Sequence, residues 1–144
     1  MLTIKRLSLE EAGLLIHGAT QKSHEIGVNQ VIAVCDESGR LIKFERMDGG
    51  KVTSIAIAID KAFTGAGARQ GTHVYNELCQ PGKPTFGIHV TNEGHFCVIG
   101  GGLPVTVDGA VVGGIGVSSG TAEQDVVCAK AGLEHFYAMT GYKA

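Results

Sequence analysis

Residues 113–121, GGIGVSSGT, decide how the last third of this chain folds. They follow an apolar run, precede a helical pattern and carry glycines at the spacing G-x-G-x-x-x-G. In dinucleotide-binding proteins such glycines bring the backbone close to a pyrophosphate, inside a β-α-β unit that needs a second parallel strand. Here the helix that begins near Thr121 runs to about Met139, and residues 140–144 are too few for that strand. The stretch therefore predicts a strand-to-helix turn, and a dinucleotide site is rejected.

Two interpretations of these glycines stay open. In the first, Gly113, Gly114 and Gly116 are small so that a helix or another backbone can approach the sheet closely, and Gly120 shapes the turn. In the second, the free N–H groups of the helix N-terminus form one wall of a pocket that favours negative charge. The second interpretation supplies three pocket candidates, Ser119, Gly120 and Thr121.

Upstream of the glycines, Asp108-Gly109 is the strongest hairpin signal in the chain, and it joins strand patterns at 103–107 and 110–117. A turn around Gly39 joins two more strand patterns at 30–36 and 40–46. The three-residue loop 92–94 predicts a further hairpin, with strands at 87–91 and 95–99. Both faces of the strand pair at 103–107 and 110–117 are largely apolar, so the sheet needs helices on each side.

The helices have clear start signals. Ser8 with Glu11, and Thr121 with Gln124, form capping boxes that open helices over about 9–25 and from about 121 onward. Another helical pattern begins near Lys51, and a short helical turn is expected within 72–83. We therefore predict one α+β domain over residues 1–144, a three-layer α/β/α sandwich around a mainly antiparallel sheet.

Composition excludes several classes of protein. The chain has 144 residues, of which 44% are hydrophobic and 18% charged, with a formal net charge of -2 and no basic cluster, so a nucleic-acid partner is not expected. No signal peptide or membrane-spanning run is visible, which predicts a cytoplasmic protein without a membrane partner. The four cysteines form no C-x-x-C pair, as expected for reduced, packed thiols.

Histidines provide two candidate ligand sets. On the predicted hairpin, His89, His95 and Cys97 fall on one side and could hold a transition metal, although strand histidines are more often ordinary polar residues. His17 and His24 are seven residues apart, so they share one face of the first helix, roughly opposite its apolar stripe. Either is a candidate axial ligand for haem or a contact with a partner subunit, and simple solvation is the alternative.

Polar side chains elsewhere are candidates for a pocket that holds a small oxygenated metabolite. Lys61 is expected on a helix face away from the core, where it is either solvated or placed beside a cleft that holds a carboxylate. No Ser-His-Asp or Cys-His arrangement can be placed, so no catalytic residue is assigned. The remaining pocket candidates are Arg46, Asn92 and Asp125.

Four segments, in this order, resemble the GlcG/HbpS-like family, which includes the C-terminal domain of PduO-type proteins and haem-binding accessory proteins. The resemblance rests on segments that span most of the chain: ERMDG at 45–49, SIAIAIDKAFTG at 54–65, GGGLPV at 100–105 and DGAVVGGIGVSSGTAEQD at 108–125.

The resemblance implies a profilin-like fold with a five-stranded antiparallel sheet, and it implies homo-oligomers. Some members of the family resemble haem-binding or haem-degrading proteins, and others occur beside glycolate or diol metabolism. The family does not fix the haem ligand by one motif, so His17 and His24 remain candidates on chemical grounds alone. The adenosyltransferase domain of full PduO proteins has no counterpart here, so that activity is not expected.

Two functions follow as hypotheses. The first is an oligomeric small-molecule-binding protein that is accessory to a metabolic pathway and binds haem or a related tetrapyrrole. The alternative is an enzyme, or an accessory to one, that acts on a small oxygenated metabolite in glycolate or diol metabolism.

Overall fold

A computed structural model describes residues 1–144. The chain forms four α-helices and four β-strands, and two 3-10 turns lie between the third helix and the third strand. In chain order the elements are α1 (Leu9–Ile26), β1 (Val31–Asp36), β2 (Leu41–Arg46), α2 (Ser54–Ala68), α3 (Thr72–Leu78), the turns Ile88–Val90 and Asn92–Gly94, β3 (Gly102–Val107), β4 (Ala110–Ser118) and α4 (Ala122–Thr140). No helix is long and apolar enough to span a bilayer.

The sheet has four strands in the order β2-β1-β4-β3, and every neighbouring pair is antiparallel. The hairpin at Asp108-Gly109 is confirmed, and both residues have positive φ, 50° and 76°, as a tight primed turn requires. The hairpin around Gly39 is confirmed as well, with φ of 82° at the glycine. The expectation of five strands is wrong, because residues 87–99 do not join the sheet.

Helices cover both faces of the sheet, so the predicted three layers are present. Helices α1 and α4 pack together on one face, and their apolar residues form the larger core with Ile32, Ile115 and Val117 of the central strands. Helix α2 covers the other face with Ala58, Ala62 and Ala66. Both capping boxes are formed, at Ser8 with Glu11 and at Thr121 with Gln124.

The glycines of β4 let α2 lie close to the sheet, as the first interpretation of GGIGVSSGT requires. A Cβ on Gly114 would stand 3.0 Å from the Ala66 side chain, and one on Gly116 would stand 2.5 Å from the Ala62 nitrogen. Real Cβ atoms do not approach other heavy atoms to 2.5 Å, so a side chain at Gly116 would push α2 away. The alanines of α2 and the glycines of β4 thus form one close helix–sheet contact.

Two local predictions about the middle of the chain need correction. The predicted hairpin over residues 87–99 is absent, and 3-10 turns form at Ile88–Val90 and Asn92–Gly94 instead. Asn92, Glu93 and Gly94 all have positive φ, so the backbone there does not continue as two paired strands. Helix α2 begins at Ser54 and not at Lys51, since residues 51–55 first make a tight turn with hydrogen bonds from Ser54 and Ile55 to carbonyls three residues back.

Candidate functional site

Lys61 is buried, which contradicts the prediction that it faces away from the core. The residue is 1% exposed, and its ammonium donates hydrogen bonds to the Val117 carbonyl at 2.8 Å and to Asp125 Oδ2 at 2.9 Å. Asp125, in the first turn of α4, is 2% exposed. The two residues therefore form a buried ion pair that links α2, β4 and α4.

Further donors complete the coordination of the Asp125 carboxylate. Its Oδ1 atom accepts hydrogen bonds from Gln30 Nε2 at 2.9 Å and from the Gly120 backbone N–H at 3.0 Å. A buried charge is tolerated when it is paired and its remaining lone pairs are hydrogen-bonded. The side-chain amide oxygen of Gln30, Oε1, is the one side-chain atom of this cluster that is buried without a hydrogen-bond partner.

Glycines make room for the lysine to cross between helix and sheet. A Cβ on Gly101 would stand 2.9 Å from the Lys61 ammonium nitrogen, and one on Gly116 would stand 3.0 Å from the lysine Cβ. The GGGLPV and GGIGV segments thus create the space that the lysine of DKAFTG fills. Lys61 and Asp125 hold the fold together and are not free to bind a ligand, so these two pocket candidates are wrong in that role.

A shallow cleft of about 370 Å³ lies at the start of α4, where the second interpretation of the glycine loop placed a pocket. Ser119, Gly120 and Thr121 line it together with Lys51 and Gln124. The capping box uses the Gln124 N–H and Gly120 donates to Asp125, so part of the helix N-terminus is already occupied. The Ser119 hydroxyl accepts from the Lys51 backbone N–H at 3.0 Å, and Ser119 itself has a φ of 112°.

The two histidines of α1 are both exposed, as their shared helix face predicts. His17 has a neighbour that sequence patterns did not reveal: the ring of His135, on α4, lies 4.9 Å from it between centroids, tilted by 42°. The helices approach closely at this point because Gly18 has no side chain, and a Cβ there would stand 2.5 Å from the Cβ of His135. Periodicity within one helix cannot show which residue of another helix lies beside it.

His89, His95 and Cys97 do not form the predicted metal site. The hairpin that would have aligned them is absent, and no group of three or more His, Cys, Asp or Glu side chains in the structure could hold a metal ion. His95 instead contacts Asp60, with 2.8 Å between Nδ1 and Oδ1. Asn92 lies at the same place, in a cleft of about 430 Å³ that also contains Arg40. Arg46 is exposed at the end of β2.

All four cysteines are free thiols; Cys35, Cys79 and Cys128 are buried, and Cys97 is half-buried. Burial raises the pKa of Cys35 to about 12, and the nearby Asp36 carboxylate acts in the same direction. Burial likewise raises the pKa of Cys97. Because the thiolate is the nucleophile, neither residue is suited to redox or covalent chemistry.

The fold and these contacts define a class of α/β/α domain in which the signature motifs build a buried lysine–aspartate cluster, while histidines stand at the surface. A family model described as haem degrading protein HbpS-like matches residues 7–134. The chain belongs to this family.

Relatives and solved structures agree with the assignment. A 15.0 kDa protein encoded between dhaT and dhaS in Citrobacter freundii is 39% identical over 133 residues, which are 92% of this chain and 94% of that protein. The crystal structure of the Klebsiella pneumoniae protein ORFY has a TM-score of 0.94 at 35% identity and covers 96% of this chain and 95% of its own. A PduOC–haem complex has a TM-score of 0.86 at 28% identity, with 90% of this chain and 94% of that chain covered.

Proposed function

We propose that this protein binds haem or a related tetrapyrrole at the outer surface of α1 and α4 and serves as an accessory to a metabolic pathway. The observation that carries the proposal is the exposed imidazole of His17, held beside His135 at a close helix crossing. The family description names haem degradation, and the similar PduOC domain has been crystallised with haem. An exposed neutral imidazole is the commonest axial ligand that proteins offer to haem iron.

An exposed apolar side chain lies near this histidine pair. Met139, one turn beyond His135 on α4, is 62% exposed and offers contact area to an apolar macrocycle. The His17 and His135 rings lie 4.9 Å apart between centroids. His17 would hold the haem iron at this surface, and bound haem would supply Lewis-acid and redox chemistry there. His24, exposed on the same helix, is the second candidate ligand.

A hemin titration tests the proposal. The unmodified protein is expected to give a saturable Soret shift, and His17→Ala is expected to weaken binding at least tenfold because it removes the iron ligand. If His24 is the ligand, His24→Ala causes that loss instead. His89→Ala is the matched control, since it removes an exposed histidine on a different segment. Haem binding at this surface is refuted if hemin gives no saturable shift, or if neither α1 variant weakens it.

The proposal includes self-association in the cytoplasm. Exposed apolar side chains occur on the segment between α3 and β3, at Phe86, Val90 and Ile99, and they would be covered when copies of the chain meet.

A further inference from the structure

A second candidate site lies on the opposite side of the sheet from His17. Its floor is one face of α2, formed by Ile59, Asp60 and Phe63. One wall is the β1–β2 turn, whose Gly39 fits against the Phe63 ring: a Cβ on Gly39 would stand 2.5 Å from that ring. The other wall is the turn at residues 92–95, and the space between them is about 430 Å³.

An oriented imidazole faces solvent at this cleft. Asp60 Oδ1 holds His95 Nδ1 at 2.8 Å, and the His95 side chain is still 59% exposed. A carboxylate on one ring nitrogen fixes the orientation of the imidazole and leaves the other nitrogen, Nε2, for a further partner. No hydrogen bond within the protein uses Nε2.

The turn that carries His95 is fixed to α2 before any ligand arrives. Thr64, one turn beyond Asp60, accepts a hydrogen bond from the Cys97 N–H at 2.9 Å. Its own hydroxyl donates to the Asp60 carbonyl at 2.8 Å, and the His95 carbonyl lies 3.3 Å from the same oxygen. Asn92 and Glu93 have φ of 53° and 56°, in the left-handed region that residues other than glycine adopt less often. The imidazole is therefore presented by a rigid support.

Arg40 supplies an uncommitted positive charge. Arg40 lines the cleft, its side chain makes no ion pair within 4.0 Å, and its backbone N–H is used by Asp36. Asp60 and Glu93 line the same cleft, so a doubly charged anion would be repelled more strongly than a singly charged one. Ile59 and Phe63 offer apolar contact area.

We propose that this cleft binds a small monocarboxylate that carries a hydroxyl group on a short apolar body. Arg40 pairs with the carboxylate, His95 Nε2 bonds to the hydroxyl, and Phe63 contacts the apolar part. A guanidinium recognises a carboxylate through paired N–H donors, and mixed apolar and polar linings are typical of small-molecule sites. The site is independent of the haem proposal, because α2 lies on the other face of the sheet.

Titration with mandelate, phenylacetate and benzyl alcohol, followed through the His95 ring signals in NMR spectra, tests this assignment. Mandelate has both groups, phenylacetate lacks the hydroxyl and benzyl alcohol lacks the carboxylate. The expected result is saturable binding in the order mandelate, phenylacetate, benzyl alcohol, with the His89 signals unchanged. Arg40→Gln should weaken mandelate binding at least tenfold, and Glu93→Gln should strengthen it.

The role of Asp60 in orienting the His95 ring can be measured separately. Asp60→Asn is expected to remove the preference for mandelate over phenylacetate. Because it also removes a negative charge from the cleft, phenylacetate should bind at least as tightly as before, which a general loss of folding would not allow. His89→Gln is the matched histidine control and should bind as the unmodified protein does. The site is refuted if His95 and His89 shift alike without saturation, or if Arg40→Gln binds mandelate unchanged while keeping its melting temperature. Hemin binding by Arg40→Gln reports separately on the proposed haem surface.

Discussion

Lys61 donates a hydrogen bond to Asp125 at 2.9 Å, and both side chains have almost no contact with water. Removing one member of a buried ion pair leaves the other charge without compensation, at a cost of about 3–5 kcal/mol. We expect Lys61→Met and Asp125→Asn each to lower the free energy of unfolding by an amount of that order, measured by urea denaturation.

The combination Lys61→Met with Asp125→Leu should recover part of the loss, because it removes both charges. Lys51→Met, at an exposed lysine outside any ion pair, is the control and should change stability little. Single variants that unfold like the control would show that the pair contributes nothing to stability.

At the scale of single elements, alanine substitutions at two glycines of α2 are expected to change the stability of the protein in opposite directions. A Cβ on Gly65 would stand 2.8–2.9 Å from backbone atoms of Leu103, whereas one on Gly67 meets no atom within 4 Å. Gly65→Ala should therefore destabilise the protein by about 1–3 kcal/mol through overpacking. Gly67→Ala should stabilise it by about 0.5–1 kcal/mol, because alanine has the higher helix propensity. Thermal melts of both variants test this prediction, which is contradicted if the two melting temperatures change in the same direction.

Elements with local signals could be predicted from the sequence. The capping boxes at Ser8 and Thr121 and the Asp108-Gly109 turn depend on residues within a few positions of one another, and all three are present. The burial of Lys61 depends on Gly101 and Asp125, which lie far along the chain, so its helical position alone gave the wrong side. Residues 87–99 alternate like strands, but Thr64 of α2 fixes the backbone of His95 and Cys97 in another arrangement.

The same difference between local signals and long-range contacts applies to the candidate sites. His17 and His24 are both exposed on α1, as their spacing predicts, and Asn92 lines a cleft, while their roles in binding stay predictions. His135, Asp60 and Arg40 were missed, because each meets its partner only through packing between elements. The only sequence signal for Asp60 was its place beside Lys61 in the DKAFTG segment.

For the whole molecule, the testable expectation is its mass in solution. Self-association through the apolar segment between α3 and β3 predicts a light-scattering mass that is a multiple of 15.0 kDa. Phe86→Ser with Val90→Ser should shift the mass toward one chain, because both side chains are exposed in the single chain and apolar. Leu41→Ser, an exposed apolar residue on β2, is the matched control. A single-chain mass for the unmodified protein would overturn the proposal.

The strand order also determines when the sheet can form during synthesis of the chain. The two central strands are β1 and β4, and Val31 pairs with Ser118, so most of the chain lies between the partners at the middle of the sheet. Closing so long a loop costs entropy before any contact repays it, and such non-local pairing slows folding. On the ribosome, α1 and the β1–β2 hairpin emerge with their apolar faces uncovered until β4 and α4 have been made. We therefore expect the sheet to form only late in synthesis, after β4 and α4 have been made.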